Sequence, residues 1–325
     1  MYILQTTQKT QLYKTTVCAN ECKSFSSSYD TVSFTGHFRF EKMPKKSGIL
    51  RLIHETAFFR DIQTKNFVRE YIFENFSNKP DVKMVVGACS SGEEVFTYSM
   101  LLDSLKSRLS ILGFDISEKI IEQADTGKLL MENSSSLGDS FLCFASKKPL
   151  TSEQLEQKKL FDEFFEVTPE VYCEQESLFL KAKRWCTENI FRIPMPKYDG
   201  KIIKARNGKF ENCIFQVGDI LNLSGVTGGK KADVITFSNA MYHLTTVNSC
   251  VRMQRIPKKN LDEIVRTIAK NVKENLNPGG IFVLGEEEAL QMPNIDIVGE
   301  VFKEFGFEPL NRTSEHMENV WRLSK

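Results

Sequence analysis

The apolar run Met84-Val85-Val86 leads into Gly87-Ala88-Cys89-Ser90-Ser91-Gly92-Glu93-Glu94, and a helical pattern follows. A second apolar run, Leu109 to Phe114, ends on Asp115. Strand, glycine turn, helix, strand and acid make the front half of a nucleotide-binding βαβ unit. Asp115 lies about 20 residues past the turn, where such a unit places a carboxylate for ribose hydroxyls.

The residues of the turn narrow the ligand. A dinucleotide fingerprint uses its middle glycine to let a pyrophosphate approach the backbone, and Cys89 stands at that position. A P-loop needs Lys and then Ser or Thr after its second glycine, where this chain has Glu93 and Glu94. Two carboxylates suit a helix N-terminus but repel phosphate. They favour a ligand that joins an adenosine ribose to positive charge, and S-adenosylmethionine is such a ligand. A plainer reading stays open beside it: a turn capped by Ser90 or Ser91, with glutamates in the first helical turn.

Composition excludes several classes. Lys+Arg 43 against Asp+Glu 42 leaves almost no net charge, which argues against a general nucleic-acid binder. No run approaches the roughly 18 apolar residues of a membrane span. Met1 to Lys14 is polar and has no secretory-signal pattern. Of the 8 cysteines only Cys18 and Cys22 are close, with no histidine pair beside them, so no metal site is expected. Reduced thiols in a cytoplasmic protein are the simplest account. The 25 phenylalanines point to a large aromatic core.

Residues 1–47 read as a polar N-terminal arm or short subdomain, with one alternating stretch from Val32 to Phe40. Residues 48–325 read as one α/β domain with an insert at about 131–212. Leu50 to Phe76 has helical apolar spacing. A helix from Glu118 to Met131 and a Thr151-capped helix to about Phe165 are expected, with short strands between Val171 and Phe215. Asn207-Gly208 reads as a hairpin turn. Cys213 to Val217 is a strand before Gly218-Asp219, and Asp233 to Phe237 reads as a parallel strand buried on both faces. A helix from Asn260 to Leu276, a strand from Ile281 to Leu284, a helix from Val298 to Phe305 and a strand from Asn319 to Leu323 complete the chain. This order predicts a doubly wound, mostly parallel α/β sheet. Ligand residues then gather at strand carboxyl ends, where Gly87, Asp115, Asp219 and Asn239 fall.

The same residues resemble the CheR family of chemotaxis receptor methyltransferases. Thr56-Ala57-Phe58-Phe59-Arg60-Asp61 is similar to its T-x-F-F-R-[DE] signature. Cys89 to Glu94 matches its C-S-[ST]-G-E-E, and Asp115-Ile116-Ser117, trailed by Ala124 and Gly127, matches its D-I-[SD] strand end. Phe215…Asp219-Ile220-Leu221, Asn239-Ala240-Met241 and Leu276-Asn277-Pro278-Gly279-Gly280 follow in family order, so the likeness runs from about residue 50 to 285.

The resemblance implies a class I methyltransferase with a seven-stranded Rossmann-like sheet and an inserted small β/α subdomain, using S-adenosylmethionine, with S-adenosylhomocysteine as product and a protein glutamate as acceptor. Its partner would be a protein substrate of chemoreceptor type, with no nucleic acid and no membrane insertion. His54, Thr56 and Arg60 would line the donor site from a helix before the sheet. Glu94 would meet the methionine amino group, Asp115 the ribose, Asp219 and Ile220 the adenine, and Asn239 the methionine moiety. Arg60, Tyr242 and His243 are the candidates at the reacting atoms. Read plainly, Arg60 is a surface ion pair, Thr56 a helix residue and Asp219 a strand-end cap.

No nucleophile–base pair stands out, which suits this reaction: a carboxylate is already ionised at neutral pH, so alignment suffices. The chain also departs from the family. Ser238 replaces the arginine before Asn239, and His243 stands in place of a tyrosine that here falls at Tyr242. Two other readings therefore remain: a methyltransferase of this fold with another acceptor, or a non-catalytic donor-binding module.

Overall fold

The computed structural model describes residues 40–41, 51–52, 57–132, 150–173, 199–248, 255–286, 288, 292, 294–314 and 317–324. They divide into two compact units, one within Phe38–Asp219 and the other within Ile220–Lys325. The Val32–Phe40 stretch, the polar segment before Leu150, His54 and Thr56 lie outside the described residues, apart from Phe40.

In the first unit a two-residue ladder pairs β1 (Phe40–Glu41) with β2 (Arg51–Leu52). The helix expected from Leu50 starts only at Ile62: α1 is Ile62–Phe76. Phe59 (φ 58°) and Asp61 (φ 51°) are left-handed, so helical geometry cannot run through them. Arg60 therefore sits in a turn, not on a helix.

After α1 come β3 (Val82–Gly87), α2 (Glu93–Leu101) and β4 (Leu109–Asp115), as the apolar runs predict. The strands β3 and β4 are parallel, and β4 is parallel to β8 (Cys213–Val217). The helix α3 (Glu118–Thr126) is shorter than expected because left-handed Gly127 (φ 60°) ends it, and the chain turns into β5 (Lys128–Glu132).

The insert forms a three-stranded antiparallel sheet in the order β5-β7-β6, with β6 at Phe165–Cys173 and β7 at Asp199–Ala205. Before β6 runs α4 (Ser152–Phe164), started by a full Thr151/Gln154 capping box. Asn207-Gly208 is a turn but not a hairpin: β7 and β8 on either side belong to different sheets. Phe58, Phe59, Phe96, Phe161, Phe164 and Phe165 share one buried cluster with Met100, Leu129 and Ile203. The Phe58 ring meets Phe161 and Phe165 edge-on at 5.1 Å each, the geometry that aromatic quadrupoles favour.

The second unit is built on β9 (Ala232–Phe237), buried along its whole length, and parallel to β12 (Leu276–Leu284). The short helix α5 (Leu223–Thr227) precedes β9, and between the two strands lie the short helix α6 (Met241–Thr245), a small ladder of β10 (Thr246–Asn248) with β11 (Arg255–Pro257), and α7 (Leu261–Asn275). After α8 (Asp296–Glu304), β13 (Phe307–Ser314) and β14 (Met317–Leu323) form an antiparallel pair, with β14 also antiparallel to β12. The sequence reading missed β13, whose Glu308, Pro309 and Asn311 hide an edge strand. The seven strands form one mostly parallel sheet in the order β13-β14-β12-β9-β3-β4-β8, the fold class expected.

Candidate functional site

The turn after β3 is held by backbone geometry that its residues do not favour alone. Ala88 (φ 52°) and Ser90 (φ 51°) are left-handed without being glycine, a strain that persists where surrounding bonds over-determine it. Cys89 N–H donates to Phe114 O at 3.0 Å and Gly92 N–H to Cys89 O at 2.9 Å. The Ser90 N–H donates to Asp115 Oδ2 at 3.1 Å, and the Ser117 N–H to Asp115 Oδ1 at 3.0 Å.

Asp115 thus closes β4 against the turn, oriented through both oxygens. A carboxylate offers about four lone-pair sites, so the N–H groups of Ser90, Ser117 and Ile116 still leave acceptor capacity for a ligand hydroxyl. Burial pushes its pKa up, opposed by the N–H donors of Ser117, Ser90 and Ile116. The Gly218 N–H donates to Asp115 O at 2.9 Å, which brings Asp219, one residue later, beside the same strand end. Gly87 is the last residue of β3 and pairs with Phe114.

The two glutamates of the turn part company. Glu93 is held by Ser91, whose hydroxyl lies 2.8 Å from both carboxylate oxygens, and burial raises its pKa. Glu94 is half-exposed. The thiol of Cys89 is buried, and burial first, then Asp115, Glu93 and Glu94, push its pKa well up. The thiolate is the reactive form, so Cys89 is a small turn residue and not a nucleophile.

The Thr-x-Phe-Phe-Arg stretch is tied to the same helix. Phe59 N–H donates to Thr97 Oγ1 at 3.2 Å, and Thr97 Oγ1 donates to Glu93 O at 2.7 Å. The buried Lys65 ammonium donates to Arg60 O at 2.7 Å. Arg60 itself is half-buried. Sequence reasoning missed Thr97 and Lys65, although a threonine four residues after Glu93 on a helix is a visible back-bonding signal.

This turn and strand end suit an adenosine ligand without phosphates: a half-buried acid for hydroxyls, a second carboxylate at the helix start, and no lysine or arginine between Gly87 and Glu94. The CheR methyltransferase SAM binding domain matches residues 54–145, a range that includes the turn, α2 and β4. This stretch is similar to a CheR-type SAM-binding domain. Its cofactor is S-adenosylmethionine.

No curated protein matches the chain. Among solved structures, the CurJ carbon methyltransferase aligns at 13% identity and TM-score 0.39, covering 82% of this chain and 57% of that one. The DszA carbon methyltransferase aligns at 12% and 0.39, covering 81% and 54%. The N-methyltransferase NodS from Bradyrhizobium japonicum aligns at 11% and 0.34, covering 82% and 97%. Likeness at this level carries no argument about donor or acceptor. Among the described residues no helix is long and apolar enough to cross a membrane.

The remaining candidates lie in the second unit. Ile220 is buried and opens a single 3-10 turn. Asn239 follows β9 in the left-handed region (φ 57°). Tyr242 is buried and His243 half-exposed, their rings 4.2 Å apart and tilted by 43°. Beside them stands a residue the sequence reading missed: Glu288, whose carboxylate accepts the N–H groups of Ala240, Met241 and Tyr242. The run Glu286-Glu287-Glu288 after β12 carries no mark that singles out its third member.

Proposed function

We propose that this chain transfers a methyl group from S-adenosylmethionine to a protein glutamate, forming a methyl ester. The observation that carries this reading is Asp115, fixed by Ser90 and Ser117 N–H groups at a strand end inside the CheR-type SAM-binding domain. The donor supplies an electrophilic methyl on a sulfonium. The acceptor carboxylate oxygen forms the new C–O bond as the C–S bond breaks; the negative and positive charges cancel and no proton moves. Such a step needs alignment and exclusion of water more than acid–base help.

In this reading Asp115 holds the ribose, Glu94 the amino group, and Gly87 allows the donor close to the backbone. Asp219 and Ile220 meet the adenine, Asn239 the methionine moiety, and His54 and Thr56 complete the donor site. Arg60 holds the acceptor carboxylate through two hydrogen bonds, the geometry a guanidinium favours, with Tyr242 and His243 shaping the acceptor side. The protein substrate is of chemoreceptor type, the setting cytoplasmic, and the catalytic domain runs from residue 48 to 325 after an N-terminal arm or short subdomain.

Calorimetric titration with S-adenosylmethionine and S-adenosylhomocysteine tests the donor half. Asp115→Ala is expected to cost about 1.5–3 kcal/mol, at least tenfold in affinity; no binding by the wild-type chain would sink the reading. For the acceptor half, methyl-tritiated S-adenosylmethionine is incubated with the protein and a cell extract. Label released by mild alkali as methanol supports the ester. Alkali-stable label turns the reading to another acceptor, with His243 as a candidate base, and intact binding without transfer turns it to a donor sensor.

A further inference from the structure

Glu288 is fully buried, and its carboxylate gathers three consecutive backbone donors. Oε1 accepts from Ala240 at 2.6 Å and Met241 at 2.9 Å, and Oε2 accepts from Tyr242 at 3.0 Å. A carboxyl group leaves water at high cost unless such partners satisfy it, so acid and segment hold each other in place. The helix they open, Met241–Thr245, has five residues. A helix that short has no stability of its own, and its first amides have no acceptor within it.

Asn239, just ahead, is left-handed at φ 57°, a conformation that costs a residue with a Cβ. Gly285 makes room for it: a Cβ there would stand 2.6 Å from Asn239 N and collide with Asn239 Oδ1. At the far end Thr245 Oγ1 donates to Met241 O at 2.9 Å and Thr246 Oγ1 to Tyr242 O at 2.5 Å. The segment is pinned by Glu288 at its start and by its own hydroxyls at its close. Because the acid grips amides, it sets the direction in which Asn239, Tyr242 and His243 leave the backbone.

We infer that Glu288 is the positioning residue of the Asn239–His243 segment, holding Asn239 in its left-handed conformation for donor binding. This rests on the donor role proposed for Asn239. Glutamine keeps the size of Glu288 but turns one acceptor oxygen into an NH2 group, which faces backbone N–H groups it cannot accept from. Alanine at position 285 displaces Asn239 from the other side of the same cradle.

The full chain is titrated with S-adenosylhomocysteine as wild type, Glu288→Gln, Gly285→Ala and Glu304→Gln. Glu304 is the control: a carboxylate with an exposed Arg266 partner at 2.5 Å, outside the segment. Glu288→Gln and Gly285→Ala are expected to bind at least tenfold more weakly while keeping the wild-type circular dichroism, with Glu304→Gln unchanged. An acid that only stabilised the fold would lower the melting temperature and leave the affinity of the folded chain alone. Wild-type affinity in a folded Glu288→Gln chain therefore overturns the inference. If that variant does not fold, wild-type affinity in Gly285→Ala overturns it. Failure of the wild-type chain to bind is a different result and strikes the donor reading itself.

Discussion

The Ser90 N–H donates to Asp115 Oδ2 at 3.1 Å, joining the left-handed turn after β3 to the end of β4. One bond thus couples the strained backbone of the turn to the acid that the donor reading needs.

Donor affinity is expected to fall on acidification, starting at a higher pH than an ordinary aspartate near 3.9 would give. Burial raises the Asp115 pKa, and protonation removes acceptor capacity, so affinity is present above the folded-state pKa and lost as pH falls through it. The stability contribution has the opposite sign. With the folded pKa above the unfolded one, the native state binds more protons, and this group's contribution declines as pH rises from the unfolded value to the folded one. Titrations with S-adenosylhomocysteine and melts across pH 4–7, on wild type and Asp115→Asn, separate the two trends. Identical pH profiles for both chains would refute the assignment.

Thr97→Val should destabilise the chain by about 1–3 kcal/mol, because it strips a buried N–H of its acceptor. Thr97 Oγ1 receives Phe59 N–H and donates to Glu93 O, so it links the left-handed Phe59 to α2. Thr97→Ser keeps the hydroxyl and should recover most of the loss. Chemical denaturation of the three chains gives the comparison; equal midpoints for Val and wild type would contradict it.

The Tyr98 hydroxyl is buried and has no hydrogen-bond partner among the described residues. An unsatisfied buried hydroxyl costs about 1–3 kcal/mol, so Tyr98→Phe should raise the melting temperature, whereas nearly every other core change lowers it. A lower melting temperature would show that the hydroxyl has a partner.

Gly92→Ala should lower the melting temperature through two separate faults. Gly92 has φ 98°, and an added Cβ would stand 2.8 Å from Phe96 Cε2 and 3.1 Å from Phe215. Left-handed strain of about 1–2 kcal/mol adds to the overlap with the rings. A melt indistinguishable from wild type would mean the turn has another conformation open to it.

Cys89 should resist alkylation in the folded chain and react once it is unfolded. Burial and three nearby carboxylates hold its thiol protonated, and reactivity follows the thiolate. Peptide mass analysis after iodoacetamide treatment, with and without denaturant, reads this site separately from the other cysteines. Rapid native labelling of Cys89 would reverse its description as a turn residue.

The sequence by itself determined β3, α2, β4 and β9, because a continuous apolar run bounded by turn residues has few other ways to be buried. It also determined where Asp115 falls, since the strand has to end where the apolar run does. What it could not determine was how distant segments satisfy each other. Leu50 to Phe76 has helical spacing throughout, yet Phe58 and the left-handed Phe59 leave the helix to join the aromatic cluster around Phe161 and Phe165, and left-handed Asp61 follows. Asn207-Gly208 has hairpin chemistry, yet its flanking strands part into two sheets. Three consecutive glutamates follow β12, and only the fold brings Glu288 to three amides almost fifty residues away. Local spacing decides which face of a segment is apolar. Which buried polar group meets which partner is a long-range matter, and only the tertiary structure decides it.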